Sequence, residues 1–159
     1  MSTTTIRAAG HVAAPVEDVF RELSDLDAHR ALATPYMEIL DLHGPRGART
    51  GGLVKLNGPL GVQKTARTAV RSARFPYELS GRAWDGDGSA GTLTWRLAPD
   101  DDHTIVTVEL TVRPGSARDA LLLAAGGRAW LRRCLATAIG RLATNRREPS
   151  ARTAPALTA

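Results

Sequence analysis

Cysteine occurs once in this chain, at Cys134, which excludes an intramolecular disulfide and any metal site built from several thiolates. Set in a helical pattern with no local base beside it, that thiol reads as a small buried hydrophobe rather than a nucleophile. Aromatic residues make up only 4% of the chain, too few for an obvious base-stacking platform. Lysine is confined to Lys55 and Lys64, so the formal charge of +5 is mostly arginine. Arg146, Arg147 and Arg152 against Glu148 place +2 of it in the tail and leave +3 on the body. Charge scattered in this way leaves no basic footprint, and nucleic acid is not an expected partner. Long apolar runs are missing too, and "MSTTTIRAAG" has no charged region leading into one. Neither a signal peptide nor stable membrane insertion is expected, which points to the cytoplasm. His11, His29, His43 and His103 lack metal-ligand spacing, and no nucleophile elbow, Walker loop or dinucleotide fingerprint occurs. "GPRGARTGG" does not lead from a strand into a helix, so it is no phosphate cradle. No metal or cofactor is expected.

What is present is enough apolar residue for a core. With 43% hydrophobic residues in 159, the default is one domain, taken as residues 1–145, followed by a basic, proline-containing tail at 146–159 that reads as disordered. An alternating run from Ile6 to Ala13 meets Pro15, and Val16, Val19, Phe20 and Leu23 then fall at helical spacing. A strand thus becomes a helix within two residues, and a second short helix follows a break at Ser24-Asp25. Six further strands are expected at 36–44, 53–57, 62–73, 77–84, 92–99 and 103–112, separated by Gly, Pro and Asp clusters including "DGDGSAG" and "DDD". Short connections imply an antiparallel meander. After Pro114-Gly115 the period changes. Ser116 can cap a helix with Asp119 near its positive end, and Leu123, Gly127, Trp130, Leu131, Cys134, Leu135, Ala138, Ile139 and Leu142 recur at three and four. One helix of about 30 residues is expected, with Gly126-Gly127 as its weak point. Arg128, Arg132, Arg133 and Arg141 fit a solvated flank.

The order of strand, two short helices, six strands and long helix resembles the SRPBCC superfamily, which includes START domains, plant pathogenesis-related proteins and bacterial polyketide cyclases. The residues that carry the resemblance are "VAAPVEDVFRELSDLDAHRAL", "ARTAVRSARFPYELSG", "GTLTWRLAPDDDHTIVTVEL" and "GGRAWLRRCLATAIGRLA", together spanning nearly the whole chain to about Asn145. Each is weak alone; the combination suggests a small single-domain member of actinobacterial type. The resemblance implies an α+β helix-grip fold: a curved antiparallel sheet of about seven strands around a long C-terminal helix, with two short helices after the first strand. An apolar cavity is implied between sheet and helix. The ligand is not, because members bind or transform lipids, hormones, polyketides and other apolar molecules.

Alternation says which side chains would face such a cavity. The inner sets are Val106, Val108, Leu110 and Val112; Leu93, Trp95 and Leu97; Leu79, Gly81 and Ala83; and Val62, Lys64, Ala66, Thr68 and Val70. Small residues in the middle of these sets leave room for a ligand. The expected ligand-binding residues are Met37, Leu56, Ala66, Thr68, Leu79, Gly81, Trp95 and Val108 from the sheet, with Leu131, Cys134, Leu135 and Ala138 from the helix. Lys64 is the sharpest candidate for chemistry. An inward ammonium could anchor a carboxylate or polarise a carbonyl; the alternative is a bulge that turns it to solvent. Tyr36 follows Pro35 where the family places its pocket entrance, and it could donate to a ligand or simply pack on the gate.

Two functions are compatible with these residues: a polyketide cyclase or dehydratase, with Tyr36 and Lys64 handling the proton, and a non-catalytic carrier or sensor of an apolar molecule. The cyclase reading expects Lys64→Met to abolish turnover and leave folding intact. A hydrophobic small molecule is the expected partner, and the chain is expected to be a monomer or homodimer. An interaction module built on Arg128, Arg132 and Arg141 would instead need a partner whose affinity falls steeply with salt.

Overall fold

A computed structural model describes residues 2–144, and the tail read as disordered lies outside them. Strand β1, Thr4–Val12, is followed by helices α1, Val16–Ser24, and α2, His29–Ala33. Pro15 opens α1 with Glu17 and Asp18 in its first turn, where acids suit the positive end of the helix dipole. Its apolar stripe of Val16, Val19, Phe20 and Leu23 is buried. Strands β2 (Met37–His43), β3 (Gly51–Asn57), β4 (Gln63–Arg74), β5 (Glu78–Trp84), β6 (Ala90–Asp100) and β7 (His103–Arg113) complete the expected six. The single sheet runs β1-β7-β6-β5-β4-β3-β2, and every neighbour is antiparallel. Register shifts at Ile39/Asp41 in β2 and Val70/Ser72 in β4 bend the sheet at one side.

The C-terminal segment departs from one continuous helix. Helix α3, Ala117–Leu122, runs into a wide turn at Leu123–Gly127, and α4 covers Arg128–Thr144. The break is at Gly126, with φ of +124°, next to Ala125 at ψ of +24°. The weak point expected at the paired glycines is a full interruption, because φ in that range leaves the helical basin and glycine alone adopts it without a Cβ clash.

Helix α4 lies against β1 and α2. Arg141, expected on a solvated flank, instead donates to the carbonyls of Ala31, Leu32 and Thr34, closing the C-terminal end of α2. Arg128 donates to Thr4 Oγ1 at 3.2 Å. The first core cluster joins α1, α4, β1 and β5–β7 through Ile6, Leu23, Leu79, Trp95, Val106 and Ile139. A second, smaller cluster is Ile39, Val54 and Ala66, flanked by Met37, Leu42, Leu56 and Ala83. The two share no buried residue. Among the described residues, no helix is long and apolar enough to cross a membrane.

Candidate functional site

The space between the two core clusters is a cavity of about 520 Å³. Leu56, Ala66 and Ala83 wall it from the second cluster; Leu110 and Leu131 wall it from the edge of the first. Val62, Val112 and Trp84 extend the sheet side, and Leu122, Leu123 and Trp130 close over it from the broken helix. The interruption at Gly126 thus sits in the cavity wall, where an unbroken helix would follow another path. At the rim Leu60, with φ of +58°, is fully exposed.

One end of this apolar space is ionic. Strand β5 ends at Trp84, and Asp85 folds the next residues back by accepting from the backbone N–H of Asp87 and of Ser89, both at 2.9 Å. Short acceptor side chains close turns in this way. The turn presses on the segment after β7, where the Gly115 N–H donates to Ser89 Oγ at 2.9 Å. A Cβ on residue 115 would stand 2.3 Å from the Asp87 carbonyl oxygen, so only glycine permits this approach. Ser116 then caps α3 by accepting from Asp119 N–H at 3.1 Å, as its position predicts. The cap aims the Asp119 carboxylate back at the turn, and Ser89 Oγ donates to it at 2.8 Å.

Lys64 reaches this cluster from β4. Its Nζ lies 2.7 Å from Asp119, 2.9 Å from Asp85 and 3.7 Å from Asp87. Asp85 and Asp119 side chains are 10% and 11% exposed, against 74% for Asp87, so the first two form the interior part of the group. Burial by itself would lower the pKa of Lys64, but the hydrogen bonds and charges of Asp119 and Asp85 outweigh it and hold the ammonium above its ordinary value. For Asp119 burial pushes upward, and hydrogen bonds from Lys64, Ser89 and Ser116 together with the Lys64 charge bring it below the usual carboxylate range. Lys64 is therefore a fixed cation, poorly suited to act as a base. Oxygens of Asp85, Asp87 and Asp119 lie within 4.8 Å of one another, a spacing that could ligate a hard cation. In this structure the Lys64 ammonium holds that place.

Of the residues expected from sequence to form the site, the structure brings Lys64, Leu56, Ala66 and Leu131 together on the cavity wall. Tyr36 does not line it; its ring meets the edge of Trp130 at 6.1 Å and so backs a lining residue. Met37 packs on the second cluster. Leu79, Trp95, Val108 and Leu135 are buried in the first cluster, with Ala138 against it, so they are core rather than lining. Thr68 Oγ1 donates to the Gly52 carbonyl at 3.3 Å, and Gly81 pairs within the sheet between Val70 and Leu93. Cys134 is partly buried, and burial pushes its thiol up to about 11 against the weaker effects of a backbone bond and the Arg133 charge. On β4 the inward phase holds for Lys64, Ala66 and Thr68 but ends at Val70, which is 39% exposed beside the bulge. The residues sequence reasoning missed are Asp85, Asp87, Ser89 and Asp119, taken there as turn and cap only. A signal existed: Arg67 pairs with Trp84, and continuing that antiparallel register places Lys64 opposite Asp87.

A model of the family described as "Polyketide cyclase / dehydrase and lipid transport" matches residues 3–146. The chain belongs to that family. No curated protein matches the sequence. Among solved structures, a Thermus thermophilus protein superposes with TM-score 0.69 at 17% identity, covering 89% of this chain and 95% of its own. The KanY protein gives TM-score 0.72 at 16% identity over 91% and 98%. DynU16, a protein of the dynemicin biosynthetic locus, gives 0.59 at 18% identity over 91% of this chain and 47% of its own. At such identities these structures share the fold with this family member; they do not carry its ligand.

Proposed function

We propose that this family member holds one hydrophobic small molecule, polyketide- or lipid-like in size and polarity, in the cavity between the two core clusters. The observation that carries the reading is the cavity itself. A volume of about 520 Å³, walled mostly by aliphatic and aromatic side chains and left open between two separate cores, is what a small-molecule site requires. Filling it with larger side chains would have joined the clusters, yet Ala66, Ala83, Ala90 and Gly91 keep it open.

The carrier form of this reading is supported by the polar end. Lys64 is committed to carboxylates, Asp119 is held in its weakly basic ionised form, and Tyr36 lies behind Trp130. A general base works best with a pKa near the operating pH, and neither Lys64 nor Asp119 is tuned that way. The cyclase form is supported by family membership and by an ammonium on the cavity wall, which could polarise a ligand carbonyl without giving up its proton. The location of DynU16 in a biosynthetic locus agrees with that second form for a protein of this fold.

The test is fluorescence titration with N-phenyl-1-naphthylamine, a neutral apolar probe that brightens out of water. Saturable binding at one site per chain is expected, weakened at least tenfold by Ala66→Leu with Ala83→Leu, which fill the cavity. Absence of saturable binding, or binding indifferent to those substitutions, would refute the proposal.

A further inference from the structure

The cavity admits an apolar body, and its ionic end decides which head group may accompany it. At neutral pH one ammonium faces three carboxylates there, a formal charge of −2. The hydrogen-bond inventory points the same way. Lys64 has three protons; two are taken by Asp85 and Asp119, and the third faces Asp87. The Ser89 hydroxyl proton is spent on Asp119. Acceptors are in surplus. Each carboxylate offers roughly four lone-pair sites, whereas Asp119 receives bonds from Lys64, Ser89 and Ser116, and Asp85 receives one from Lys64 and two from backbone N–H groups. An incoming carboxylate would meet a cation already neutralised and a field of its own sign. A protonated amine would find free lone pairs and an opposite charge.

We infer that the ligand of this cavity is an apolar molecule bearing a cationic amine, with Asp85 and Asp119 as the residues that select it and Lys64 as the ammonium that holds the two carboxylates together at the cavity end. The inference rests on the cavity being a binding site. It reverses the simplest role of a lysine in an apolar pocket, which is to recruit an acid.

Decylamine, 1-decanol and decanoate have the same apolar chain and differ in their heads. Competition of each against bound N-phenyl-1-naphthylamine at pH 7 separates head from body. The expected order is decylamine at least tenfold tighter than decanoate, with decanol between. Asp85→Asn with Asp119→Asn should shrink that ratio to about one, because Lys64 would then be balanced by Asp87 alone. Asp87→Asn, at the exposed carboxylate, keeps the buried bonds intact and should lower the ratio two- to threefold, which serves if the double variant does not fold. Decanoate competing as well as decylamine against a firmly bound probe would overturn the amine assignment and leave the cavity as a binding site. Failure of the fluorescent probe itself to bind would remove both.

Discussion

Helix α3 contributes no fully buried residue, so its attachment depends on the groups at its start, and Asp119 is the strongest of them. The carboxylate accepts from Lys64 at 2.7 Å and from Ser89 at 2.8 Å, with 11% of the side chain exposed. Replacing Asp119 by Ala removes both bonds and leaves Ser89 Oγ without its acceptor. Charge-assisted hydrogen bonds contribute about 1.5–3 kcal/mol each, but two effects reduce the sum. Asp85 still pairs with Lys64, and repulsion between Asp119 and the other carboxylates disappears. A net loss of about 1–3 kcal/mol follows. For a domain of this size that corresponds to a Tm lower by roughly 3–10 °C, measured by circular dichroism. Amide exchange should locate the damage, with α3 and the Asp85–Ser89 turn exchanging faster while β6 and β7 are unchanged. The pH dependence has a definite sign. Asp119 is held below its ordinary value of 3.8, so its contribution is complete above that pH and fades as pH falls through the lowered value. The Tm gap between wild type and variant should be constant from pH 5 to 8 and close below about 4. A gap under 1 °C at pH 7 would show that this pair behaves like an exposed surface ion pair, and would refute the reasoning.

Three further outcomes follow. Lys64→Met was expected from sequence to spare folding, but here it leaves the partly buried Asp85 and Asp119 without a cation; destabilisation of about 2–4 kcal/mol is expected by chemical denaturation, and a wild-type midpoint would contradict it. Cys134, with its thiol pushed up to about 11, should react with iodoacetamide at pH 8 roughly a hundredfold more slowly than free cysteine; labelling at the free rate would show that the thiolate forms readily. His29 is held below its ordinary 6.5, burial outweighing its bond to the Leu23 carbonyl and the Asp25 charge, so stability complete above pH 6.5 should decline as pH falls below it. His29→Gln should flatten that decline in a Tm series, and an unchanged slope would assign it elsewhere.

The strand order was legible because its signals are local. Alternation marked β6 and β7, and turn residues marked where each strand stops. The turn expected over all three residues of "DDD" is confined to Asp101-Asp102, because Asp100 still pairs with His103 at the start of β7. The cavity was only partly legible because it depends on how distant elements meet. Trp95 and Val108 share an inner face with Leu110, yet they are covered by the first core while Leu110 reaches the cavity. Face alone does not distinguish a residue packed under α1 and α4 from one at a gap. The ionic cluster was least legible. Lys64, Asp85 and Asp119 occupy three different segments, and in sequence the two aspartates have sufficient local duties as a turn former and a cap. Only the β4–β5 register, which ends at Arg67 opposite Trp84, brings the lysine near the turn that follows. The same physics carries a lesson for inward lysines: burial without a counterion is costly, so an alternation pattern that turns one inward predicts an acid across the sheet.

The proposed ligand site is the space between the two cores. A crystal structure with N-phenyl-1-naphthylamine tests it most directly. The predicted result is one molecule bounded by Ala66, Ala83, Trp130 and Leu131. Probe density confined to the groove formed by Phe20, Arg21 and Phe75, with the space between the cores closed, would contradict it.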